Sequence, residues 1–186
     1  MIAAPHHDQA RARAVDRLCE LTSIGAGHAA GALATLLARP FEMRVPVARV
    51  AEARQVEQER AGAGVLFDVS GGLGGTLALL FSAASRDALL AALLGKNAGG
   101  AEQAESTLRE VGNIVASHAL SAIGAVLGVS VLPSTPRLEL REAPRALAHR
   151  VAARTGERPV LRIEVELCDR VGEVQASLVY VPAAIA

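Results

Sequence analysis

STLREVGNIVASHALSAIGAVLG, residues 106–128, opens with charged side chains and then runs uncharged as far as Pro136. An apolar run of that length is long enough to cross a bilayer, but its polar residues are not scattered. Asn113, Ser117 and Ser121 recur about every fourth residue, and Glu110 and Ser106 extend the same line one and two turns back. A helix places all five on one face. The remaining faces carry Ile114, Val115, Leu120, Ile123, Val126 and Leu127, the pattern of a helix packed into a soluble core with one edge open to water or a partner. Ser117 and Ser121 also have the option of bonding back to their own helix backbone. LTSIGAGHAAGALATLLA at 21–38 is a second uncharged run of the same kind.

The two runs are related. Three residues separate Ser106 from Glu110, two separate Glu110 from Asn113, and twenty-two separate Asn113 from Pro136. Asp16, Glu20, Ser23 and Pro46 have the same spacing, and every pair is 90 residues apart. Ile24 and Ile114, Ala26 and Ala116, Ala29 and Ala119, and Ala32 and Ala122 match at the same offset. A duplicated unit accounts for this. The register holds for the helix and the first strand after it and drifts later.

Outward from the helices, Arg39-Pro40 ends a first helix that starts near Ala10. FEMRVPVARV (41–50) is β-like, and EARQVEQER (52–60) is a charged excursion. VLFDVS (65–70) and GTLALLFS (75–82) are strands joined by GGLGG as a hairpin. A short helix (85–95), a linker (96–105) and a second long helix (103–128) follow. VSVLPSTPRLEL supplies strand and turn, APRALAHRVAAR a helix, and VLRIEVEL and VQASLVYV two alternating strands. With no regular βαβ rhythm, the expected class is α+β: a pseudo-twofold duplicated unit whose two long helices pack on a mainly antiparallel sheet.

Composition narrows the functions. A chain of 186 residues closes one sizeable core and is short for two domains. Hydrophobic residues make up 51% and aromatics only 2%, so the core is aliphatic and offers no stacking platforms for single-stranded nucleic acid. Lys plus Arg and Asp plus Glu both number 19, which leaves no net basic field to attract phosphate backbone. Cys19 and Cys168 form neither a disulfide framework nor a metal-ligand spacing. MIAAPHHDQARARAVDR lacks the apolar core of a signal peptide, so a cytoplasmic protein without membrane insertion is expected.

The paired spacing resembles the CheC-type phosphatases of bacterial chemotaxis and the related CheX and FliY proteins. Their signature is Asp or Ser, three residues, Glu, two residues, Asn, twenty-two residues, Pro. Ser106, Glu110, Asn113 and Pro136 match it in full; Asp16, Glu20 and Pro46 match it with Ser23 in place of the Asn. SIGAGHAAGALATLL, VSGGLGGTLALLF and EVGNIVASHALSAIGAVLG are also similar to the family. The resemblance implies a single CheC-like domain over 1–186, with halves of about 10–98 and 100–186. It also implies dephosphorylation of a phosphorylated CheY-type response regulator, sometimes with a CheD-like deamidase as a further partner. The alternative is a non-catalytic module that docks phosphorylated CheY, CheD or the flagellar switch.

The residues fit that chemistry. Side chains three apart on a helix are neighbours, so Glu110 and Asn113 can face one partner. An aspartyl phosphate is already activated and lacks only a water held in line with phosphorus. A carboxamide orients such a water by donating to it and accepting from it, which makes Asn113 the catalytic candidate. The resemblance implies that Glu110 pairs with a lysine beside the partner's phosphoaspartate, and that Mg²⁺ resides on that partner, with no cofactor or metal on this chain. Ser23 lacks the amide's fork, so the Glu20 copy is expected to be weaker or a docking surface. Asp16 and Ser106 are peripheral contacts or solvate the helix face, and Pro46 and Pro136 shape the start of a strand.

Other motifs have plainer readings. GAGHAAG (25–31) lacks the preceding strand of a dinucleotide fingerprint; Gly25, Gly27 and Gly31 are expected to let two helices approach closely. GGLGG (71–75) is a hairpin turn. His28 and His118, at equivalent places in the repeat, are expected to be packed or hydrogen-bonded.

Overall fold

The strands of the GGLGG hairpin and the last two strands are buried at most positions, which gives the sheet two apolar faces, and helices cover both. A computed structural model describes residues 5–51, 62–95, 100–156 and 158–183. Its elements are α1 (Pro5–Leu37), β1 (Phe41–Met43), β2 (Val47–Ala51), β3 (Gly62–Gly71), β4 (Gly75–Ser82), α2 (Ala83–Leu94), α3 (Ala101–Leu127), β5 (Val131–Pro133), β6 (Arg137–Glu139), α4 (Ala143–Thr155), β7 (Val160–Asp169) and β8 (Gln175–Pro182). The charged excursion at 52–60 and the first linker residues, 96–99, lie outside the described residues. The helices reach further than expected: α1 begins at Pro5 rather than near Ala10, and α3 takes up Ala101–Glu105 from the expected linker.

All named strands pair antiparallel in one sheet of order β1-β7-β8-β4-β3-β5, with β2 also on β7 and β6 also on β3. The order reads alike from both ends. The central pair is β4–β8, each is followed outward by its hairpin partner, and the edge strands that follow α1 lie on β7 while those that follow α3 lie on β3. Val65, Phe67, Leu79, Val165 and Leu178 face α1 and α3 in the larger core cluster; Leu66, Leu80, Val179 and Val181 face Leu147 and Val151 of α4 in the smaller. The result is α+β with the two long helices side by side on one face.

The prolines break the edge ladders in the same way. From Met43↔Leu167 to Val47↔Glu164 the edge advances four residues while β7 advances three. From Pro133↔Val69 to Arg137↔Leu66 the same one-residue bulge occurs against β3. Pro46 and Pro136 each stand immediately before the strand that resumes pairing, where a missing N–H removes no ladder bond.

The helix ends correspond too. α3 ends on Gly128 in the left-handed conformation (φ 68°), its N–H bonded to Gly124 O. Ninety residues earlier Ala38 holds φ 50° at the end of α1, and Pro40 follows. A side chain with Cβ costs about 1–2 kcal/mol in that conformation.

Candidate functional site

Small residues bring α1 and α3 together. Ala26, Ala29, Ala32, Ala116 and Ala119 are buried between helices and sheet, and a Cβ on Gly25 would lie 2.9 Å from Ile123 Cδ1 and 3.2 Å from Ala119 O. Further along, Leu36 shares a groove with Ile114 and Glu110. Gly25 lies against Ala119–Ile123 and Leu36 against Glu110–Ile114, so the helices run antiparallel and the motifs face opposite ends of the pair. Of the three glycines expected to permit close approach, only Gly25 does. Gly27 has one neighbour, Met43 Sδ at 3.8 Å from an added Cβ, and Gly31 has none within 4 Å.

Glu110 is exposed and Asn113 half-buried on the outward face of α3. Neither side chain has a hydrogen bond or ion pair among the described residues. The next residue inward from Asn113, Gly112, has no room for a side chain: an added Cβ would lie 2.6 Å from Val65 Cβ. Val65 pairs across the ladder with Leu138, two residues past Pro136, so the motif turn of α3 sits tightly over the β3–β6 ladder that follows that proline. Packing therefore fixes the backbone beneath two unpartnered polar side chains. Glu110, with exposed Ser106 and Thr107, lines a groove of about 370 Å³ whose other walls are Leu36, Leu93, Leu94, Val111 and Ile114; Asn113 lies outside that lining. The leucines of α2 and α1 were not among the sequence candidates; nothing in local periodicity tells which face of a short apolar helix meets another element. The arrangement offers a free carboxylate and a free carboxamide one turn apart, beside an apolar wall.

The first copy differs. Asp16 and Glu20 are exposed and Ser23 half-buried, the same burial classes as Ser106, Glu110 and Asn113. Glu20, however, accepts from Arg17 Nη1 at 2.8 Å, with the two side chains 62% and 53% exposed. An arginine three residues before a glutamate was a legible signal of this pair. The equivalent of Arg17 is Thr107, whose hydroxyl donates to Gln103 O at 2.9 Å. The nearest arginine in α3, Arg109, is bonded to Glu105 at 2.9 Å. Beside the first motif, burial and then the Asp16 carboxylate raise the Cys19 thiol above its ordinary range.

Other expectations change. His28 and His118 are neither packed nor hydrogen-bonded; both are exposed and line one groove between α1 and α3 with Gly27, Gly31, Thr35 and Ile114. Ser117 and Ser121 make no back-bond, whereas Thr22 donates to Leu18 O at 2.7 Å. Val126, expected on the packed face, is exposed. Both cysteines are free. No group of three or more His, Cys, Asp or Glu among the described residues is placed to hold a metal ion. By length and composition α3 is the one described helix long and apolar enough to cross a membrane, and half of that window is buried in the fold.

Comparison with known proteins meets this geometry at the same helix. Residues 104–140, which contain Ser106, Glu110, Asn113 and Pro136, match the CheC-like family. The chain is 29% identical over 137 residues to the CheY-P phosphatase CheC of Bacillus subtilis (strain 168); the match covers 68% of this chain and 66% of that relative, just under two thirds of its length. The fold is similar to that of FliY from Thermotoga maritima, with TM-score 0.71, 21% identity, and 97% and 91% of the two chains covered. It is also similar to a chain in the CheX–CheY–BeF3–Mg²⁺ complex from Borrelia burgdorferi, with TM-score 0.59, 15% identity, and 86% and 96% covered. The motif helix thus matches the CheC-like family, and the chain is similar to the Bacillus CheC in sequence and to FliY and the Borrelia chain in fold.

Proposed function

We propose that the chain is a phosphatase for the aspartyl phosphate of a phosphorylated CheY-type response regulator, with its working site at Glu110 and Asn113. The observation that carries this is the unpartnered pair itself: a carboxylate and a carboxamide one turn apart on a rigid helix, facing outward. The names of the Bacillus relative and of the Borrelia complex supply the substrate class. On docking, Glu110 meets a lysine of the regulator and fixes the approach. The Asn113 amide accepts a hydrogen bond from a water and donates one to it, holding the oxygen in line with phosphorus. Attack breaks the bond between phosphorus and the aspartyl oxygen and releases inorganic phosphate and a free carboxylate. Most of the gain is positional, since the acyl phosphate needs no covalent help. Mg²⁺ carried by the regulator supplies charge neutralisation, as the content of the Borrelia complex supports.

In this reading residues 1–186 form one cytoplasmic domain of two duplicated halves, about 10–98 and 100–186. The Glu20 copy is the weaker one. A second reading, a docking module for phosphorylated CheY, a CheD-like protein or the flagellar switch, draws on the fold shared with FliY and on the altered first copy. Phosphate release from excess phosphorylated regulator separates the two. A phosphatase releases many equivalents per molecule; a module binds one to one and leaves the regulator's own decay unchanged.

A further inference from the structure

We propose that Arg17 is an internal counter-ion that occupies, at the first motif copy, the place a partner's cation takes at the second, and that Thr107 keeps the second copy open. The inference rests on the reading that Glu110 meets a cation of the regulator. Arg17 Nη1 holds Glu20 Oε2 at 2.8 Å, one helical turn away and on the same face. Position 107 is the exact counterpart in the repeat, 90 residues on, and carries a neutral side chain whose hydroxyl is turned to its own backbone. Arg109, the residue before Glu110 in the chain, is engaged by Glu105. Glu110 therefore presents an unpaired carboxylate to a partner, while Glu20 presents one whose charge the Arg17 guanidinium already offsets. A lysine approaching Glu20 finds Oε2 engaged by Arg17 and sits beside that guanidinium, a like-charge contact. The first copy is thus closed twice, by Ser23 at the water position and by Arg17 at the docking position.

An exposed pair of this kind is a weak lock, so the effect is small, salt-sensitive and confined to binding. The test moves the arginine. Thr107→Arg should raise the KM for phosphorylated regulator roughly two- to fivefold relative to Thr107→Gln, at low salt, with kcat equal in the two. The gap should close at about 0.5 M salt, where screening is short-ranged. In the reverse direction, Arg17→Thr in a Ser23→Asn, Asn113→Ala background should raise kcat/KM above that of Arg17→Lys in the same background. Circular dichroism confirms that each variant is folded. Equal KM values for Thr107→Arg and Thr107→Gln overturn the inference and leave the phosphatase reading standing if Asn113→Ala is inactive. Full turnover by Asn113→Ala overturns both.

Discussion

At Glu20 the carboxylate is held by Arg17 and followed three residues later by a serine; at Glu110 it is unpaired and followed three residues later by an asparagine. The two sites have the same spacing, the same exposure and the same kind of helix beneath them. What differs is confined to the atoms a partner would touch and to the side chains that hold the helices against the sheet. Gly25 in α1 corresponds to Val115 in α3, Gly112 to Thr22, and the C-terminal Ala38 to Gly128. Gly25 and Gly112 stand where their helices meet a neighbour closely, and their counterparts Val115 and Thr22 are buried side chains. The two motif helices thus differ in the side chains that pack them and in their polar groups, and the second keeps a complete Glu–Asn pair.

The comparison can be broken at several strengths. Asn113→Ala should lower kcat about a hundredfold or more, the scale on which loss of positioning acts, whereas Ser23→Ala should change it little. Measuring both under saturating regulator tests the asymmetry directly. Glu110→Lys should act on KM more than on kcat, by roughly tenfold, because a buried or half-desolvated charge contact costs on the order of 1.4 kcal/mol or more when reversed. Ser23→Asn in an Asn113→Ala background should return a small fraction of the lost activity, limited by Arg17.

Stability offers further tests. Gly112→Ala forces a Cβ into Val65, a β-branched residue of a buried strand that cannot move aside, and should cost about 1–3 kcal/mol in urea unfolding. Gly31→Ala meets nothing within 4 Å and should stabilise by about 0.5–1 kcal/mol through helix propensity. At the caps, Ala38→Gly should raise the melting temperature slightly and Gly128→Ala should lower it, because both positions are left-handed.

Much of this was legible in the chain. The polar line Ser106, Glu110, Asn113 is fixed by helical periodicity, and the offset of 90 ties it to Asp16, Glu20 and Ser23 without any tertiary information. The pairing of the edge strands was not legible: β1 and β2 pair with the distant β7, and β5 and β6 with β3. Local pattern marks a residue as β but carries nothing about its distant partner. For the same reason the wall that Leu93 and Leu94 make beside Glu110 was missed. The Arg17–Glu20 pair was within reach, since three residues on a helix make neighbours of opposite charges. Gly27 and Gly31 misled because a small residue serves equally at a tight crossing and at an open surface, and only the neighbouring helix decides which.

The central claim, that Asn113 is the group that makes this chain turn over phosphoaspartate, is met most directly by one measurement. Phosphate release from a large excess of phosphorylated CheY-type regulator is followed with catalytic amounts of the wild-type chain, of Asn113→Ala and of Ser23→Ala. The account predicts multiple turnovers for the wild type and for Ser23→Ala, and none above the regulator's own decay for Asn113→Ala. Undiminished turnover by Asn113→Ala would contradict it.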